Sequence, residues 1–133
     1  ELLTNTDAEQ VAVARRLLDW ARANMTRIWW GEGKRNGSFV PVLEHNGQQQ
    51  YVISVWTSGS VEMGFQWMKV RPPFADEAKR REMLQRLNAI PGIRLPEDGI
   101  TRRPNISLAA LTDTSTLTKF LKVLDWFAQE VKA

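Results

Sequence analysis

Glu32, Gly33 and Lys34 stand in the stretch "IWWGEGKRNGSFVPVLE", residues 28–44, and their types suggest metal-dependent hydrolysis. A carboxylate can hold a divalent ion while a lysine two residues on polarises the attacking water, but such a site needs a second carboxylate on the same sheet. The nearest acidic residue before Glu32 is Asp19, which falls in a helical pattern. Gly31, Gly33-Lys34 and Gly37-Ser38 also carry the residue types of a phosphate loop. That loop requires four residues between its first glycine and Gly-Lys-Ser/Thr, then a helix whose amides face the phosphate. Here a strand pattern follows, so the segment reads as a turn whose glycines serve its geometry. His45 is the chain's one histidine and sits beside Asn46-Gly47, where a solvated turn residue is the plain reading; Glu44 before it reads as a strand-end charge. We therefore expect no catalytic residue, no metal site and no cofactor. The enzyme alternative is a small metal-dependent hydrolase built on Glu32 and Lys34, with Glu44.

Binding chemistry has more material. Lys34 and Arg35 lie in the first loop, Lys69 and Arg71 follow the fourth strand pattern, and Arg94, Arg102 and Arg103 lie in a long connection. Lys79, Arg80 and Arg81 form a basic run on a helix. If the loops at one end of a sheet converge, these side chains make a cationic rim with Trp29, Trp30 and Trp56 nearby. Cations track phosphates and exposed aromatics stack on bases. The expected contact set is Trp30 as stacking face with Lys34, Arg35, Arg71, Arg102 and Arg103 on phosphates. The expected partner is DNA or RNA, or the rest of a longer parent protein docking on the same surface. Against this stands a plainer assignment: six tryptophans filling a core and helical cations forming a solvated face. A structural or dimerising module is the third reading, and it requires a continuous apolar patch on the open face of the sheet.

The elements that must carry these residues follow from periodicity. Thr6 and Glu9 have capping-box spacing, and Ala14, Leu17, Leu18, Ala21 and Met25 mark a helix over about residues 7–25. "RIWW" and "SFVPVLE" are strand patterns, and Pro41 denies the second one ladder bond, which predicts an edge or a bulge there. Asn46-Gly47 is a hairpin signal, since both residues accept positive φ. "YVISVWT" reads as a central strand, and Val61, Met63, Phe65 and Trp67 alternate with Glu62, Gly64 and Gln66 as another. Asp76 caps a second helix with Met83, Leu84, Leu87 and Ile90 on its apolar stripe, stopped by Pro91-Gly92. "NISLAAL" is one more strand pattern. Asp113 or Thr114 caps a last helix bearing Leu117, Phe120, Leu121, Leu124, Phe127 and Val131. This order predicts an α+β domain, a mostly antiparallel five-stranded sheet with three helices packed on one face.

With 133 residues, 43% of them hydrophobic, one domain spanning 1–133 can bury a core without staples. The chain has no cysteine, which excludes disulfides, thiolate metal sites and cysteine nucleophiles, and is the usage expected of a cytoplasmic protein. A net charge of +3 is too small for a whole-molecule field, so local clustering must carry any electrostatic recognition. No apolar run is long enough to span a membrane. Because the chain opens on Glu1 rather than methionine, we expect a fragment, a C-terminal module of a longer protein. The series "WGEGKRNGSFVPVL", "TSGSVEMGF", "RPPF", "LNAIPGI" and "RPNISLAAL" resembles an uncharacterised bacterial domain, similar to C-terminal modules of endonuclease-like proteins. That resemblance covers most of residues 25–130 and implies an intracellular bacterial setting with a DNA-related context. It carries no catalytic residue with it.

Overall fold

The computed structural model of the chain describes residues 8–31, 38–56 and 59–133. Glu32, Lys34 and Arg35 lie outside the described residues, as do Thr6 and Asp7 of the expected capping box. The architecture is α+β with an antiparallel sheet. Helix α1, Ala8–Asn24, leads into strands β1 (Arg27–Trp30), β2 (Ser38–His45), β3 (Gln48–Tyr51), β4 (Ile53–Trp56) and β5 (Ser60–Met63). Helices α2 (Phe65–Met68) and α3 (Glu77–Asn88), strand β6 (Asn105–Ser107) and helix α4 (Thr114–Lys132) complete it. The strands run in the order β1-β2-β4-β5-β6, with β3 paired to the far half of β2.

Local chemistry explains most boundaries. The β2–β3 hairpin turns on Asn46 and Gly47 at φ 53° and 79°, the two positive values that match the sheet's twist. Asp76 caps α3 by accepting from the Ala78 amide at 3.0 Å, and Asp113 caps α4 by accepting from Thr116 N at 3.0 Å. Gly92, at φ 92°, follows the end of α3.

Pro41 does mark a bulge, although in a strand with neighbours on both sides. From Val42 to Phe39 is three residues along β2, whereas from Tyr51 to Val55 is four along its partners. The extra residue sits opposite Pro41, which has no N–H to offer the ladder. The expected single strand "YVISVWT" is thereby broken between β3 and β4. Val52 and Ile53 both end up buried, and the Val52 carbonyl accepts from Gly64 N at 2.9 Å.

Two other strand expectations are corrected. The alternation from Val61 to Trp67 continues as strand only to Met63; Phe65–Met68 is helical. Phe65 and Met68, three apart, are both buried whereas Trp67 is exposed, so helical spacing rather than period two satisfies the core. Similarly, only Asn105–Ser107 of "NISLAAL" is strand. Leu108–Leu111 forms a 3-10 turn, started by the Ser107 hydroxyl accepting from Ala109 N at 3.1 Å.

One side of the sheet presents Phe39, Leu43, Ile53, Val55, Val61, Met63 and Ile106 to the helices. Val13 and Leu17 of α1, Met83 and Leu87 of α3, and Phe120 and Phe127 of α4 join the same cluster. Each such side chain, fully removed from water, contributes about 1.5–3 kcal/mol. Trp20 Nε1 donates to Asp125 Oδ1 at 2.7 Å and clasps α1 to α4. Among the described residues no helix is long and apolar enough to cross a membrane. Among the described residues none of α1, α3 and α4 covers the opposite side of the sheet, which α2 flanks through Trp67, and the side chains there define the site.

Candidate binding trough on the open face of the sheet

Directly paired residues of an antiparallel sheet share a face, so the register sorts the side chains. Trp29 pairs with Val40, Val42 with Tyr51, Ser38 with Trp56, and Ser54 with Glu62, all on the side away from α1, α3 and α4. All of these except Val42 line, together with Trp67, Arg71 and Arg103, a concave trough of about 390 Å³. That volume falls in the range of small-molecule sites, about 300–1,000 Å³.

The rim is made of rings and guanidiniums in alternation. Trp29 and Tyr51 meet with centroids 5.6 Å apart and planes tilted by 56°. Arg71 lies over the Tyr51 ring at 5.2 Å and donates from Nη1 to the Trp67 carbonyl at 3.2 Å. Arg103 lies over the Trp67 ring at 5.8 Å, and its Nε is 3.9 Å from Glu62 Oε2. Glu62 reaches the trough from β5 with its side chain only 16% exposed.

The positions of these groups have identifiable causes. Gln50, buried on β3, donates from Nε2 to the Pro72 carbonyl at 2.9 Å and brings the Arg71 segment against Tyr51. Met63 N donates to Pro104 O at 2.8 Å and Gln66 N to Arg102 O at 2.9 Å, so residues 102–104 run beside the start of α2 and Arg103 meets Trp67. Gly64 allows the close approach: a Cβ there would stand 3.3 Å from Trp67 Cδ1 and 3.4 Å from Val52 O.

Of the residues expected to bind, Arg71 and Arg103 converge on the trough. Arg102 does not: its side chain is exposed, 3.4 Å from Asp98, beside a separate depression shared with Arg94 and Arg103. Trp30 pairs with Phe39 on the helix side of the sheet, its ring 5.7 Å from that of Phe39, and is 55% exposed at the sheet edge. Trp29, one residue earlier and 47% exposed, occupies the trough instead. Lys34 and Arg35 lie outside the described residues. Glu62, Tyr51 and Trp67 are the members that sequence reasoning did not single out. The pairing of "SVEM" with "ISVW" across a tight turn was the one available signal, since it sets Glu62 on the face opposite Val61 and Met63.

The basic run on α3 is consumed by the fold. Lys79 pairs with Glu130 of α4, and Arg81 with Glu77 at 2.7 Å and Glu97 at 3.1 Å. The hydrogen bond to Glu77 raises the Arg81 pKa, aided by the charges of Glu77 and Glu97 and opposed by desolvation. Arg80 is only 6% exposed and donates to the Phe74 carbonyl at 2.9 Å and the Ile100 carbonyl at 2.6 Å.

The hydrolase alternative finds Glu44 paired with Arg27 at 3.0 Å, and its other members, Glu32 and Lys34, outside the described residues. Among the described residues no group of three or more histidine, cysteine, aspartate or glutamate side chains is gathered to hold a metal ion. His45 is half-buried at the hairpin, paired with Gln48. No protein-family model, curated protein or solved structure matches the chain, so no relative's site transfers to these residues.

Proposed function

We propose that this domain is a non-catalytic module that binds single-stranded nucleic acid, DNA or RNA, on the open face of its sheet. The observation that carries the reading is the alternation of aromatic rings with guanidiniums around a concave floor. Rings of this kind give stacking platforms for bases, and arginines beside them reach the connecting phosphates. A trough of about 390 Å³ suits one planar group more than a protein partner, whose footprint is typically about 800 Å² and nearly flat. In a duplex the faces of the bases are stacked on one another, so the ligand must be a single strand or an extruded base. Aromatic pockets also hold alkylammonium groups. Here, however, Arg71 and Arg103 stand at the rim, and their positive charge opposes a cationic ligand.

Labelled single-stranded DNA and RNA of mixed sequence, titrated with the domain at low salt and followed by anisotropy, test the proposal. The expected result is saturable binding, weaker for the annealed duplex, with quenching of tryptophan fluorescence. Absence of binding at low salt, equal affinity for duplex, or preference for a trimethyllysine peptide over the strands would each overturn it.

A further inference from the structure

Resting on the nucleic-acid reading above, we infer that the trough selects guanine and that Glu62 is the residue that reads it. Among the described residues Glu62 is the one acidic side chain lining the trough, set among Ser54, Trp67 and Arg103. A carboxylate only accepts hydrogen bonds, with roughly four lone-pair sites over two oxygens. Among the described residues its charged neighbour is Arg103, whose Nε stands 3.9 Å away, beyond hydrogen-bond reach. Glu62 therefore keeps acceptor capacity directed at whatever base enters between the rings.

The bases differ in what they offer a carboxylate edge-on. Guanine alone carries two adjacent donors, N1–H and the N2 amino group, on its pairing edge. Adenine and cytosine set one amino donor beside a ring-nitrogen acceptor, and thymine or uracil sets one N–H between two carbonyls. Both of those patterns place lone pairs against the carboxylate. Sites built to hydrogen-bond a donor reject analogues lacking it, because the buried acceptor is left unpaired. The arrangement separates labour: Arg71 and Arg103 hold phosphates without regard to sequence, and Glu62 discriminates.

The test uses oligothymidine strands bearing one central guanosine, inosine, adenosine or cytidine, with affinities measured for the domain and for Glu62→Gln. The expected preference for guanosine over thymidine is ~5- to 150-fold, the range of a good bidentate base contact. Inosine, which lacks only the N2 amino group, should lose most of that preference, a comparison that needs no variant. In Glu62→Gln the guanosine-to-thymidine ratio should fall toward one. Equal affinity for guanosine and inosine strands, or a ratio that survives Glu62→Gln, overturns the assignment. If all strands bind the unaltered domain alike, guanine selection fails and single-strand binding stands; if none binds, both fail.

Discussion

Replacing Arg71 and Arg103 together by glutamine should flatten the salt dependence of single-strand binding by a calculable amount. Each phosphate neutralised on a single strand releases condensed counterions, and log K falls with log salt by about 0.7 per contact. Two contacts give a slope difference of about 1.4 between the unaltered domain and the double variant. Between 50 and 200 mM salt, a fourfold change, the unaltered domain should thus lose about sevenfold more affinity than the variant. Both arginines line the trough and lie over its rings, which is why they are assigned to phosphates there. The matched control is Lys79→Gln with Arg81→Gln on α3, where the charges are already paired with Glu130, Glu77 and Glu97. That pair of changes should leave the slope where it was. Anisotropy titrations of one labelled strand at several potassium chloride concentrations supply all three slopes. Equal flattening by both double variants, or none by the first, would refute placing the phosphate path across the trough.

Trp29→Ala should weaken single-strand binding by about 1–3 kcal/mol, the worth of one stacked base, whereas Trp30→Ala on the other side of the sheet should change it little. The same titrations measure both, and a larger loss from Trp30→Ala would contradict the choice of face. Arg80→Met should destabilise the fold by about 2–4 kcal/mol in urea unfolding, because the carbonyls of Phe74 and Ile100 lose their buried donor. A change within about 0.5 kcal/mol, the ordinary range of surface substitutions, would show that Arg80 is not held as described.

Several features were legible in the linear chain because their causes are local. Asp76 and Asp113 announce helix starts through bonds to amides two and three residues ahead. Asn46-Gly47 specifies a hairpin because both residues tolerate positive φ. The spacing of Leu117, Phe120, Leu124, Phe127 and Val131 alone sets them on one face of α4, and all five are buried, whereas Leu121 of the same expected stripe is only half-buried. Pro41 foretold a bulge because an imino nitrogen cannot bond in any ladder.

What required the tertiary structure was every question of side and partner. Trp29 and Trp30 are adjacent and identical in type, and only the register with Val40 and Phe39 sends one to the open face and the other toward the helices. Lys79, Arg80 and Arg81 look alike in sequence, but α3 turns one into the core and hands the others to carboxylates on α4 and in the chain before β6. Phe65 and Met68 sink together into the core as a helical pair, which ends a strand that alternation alone would have extended. Backbone conformation responds to neighbours a few residues away, whereas exposure depends on which surfaces distant segments cover, and no short stretch of this chain encodes that.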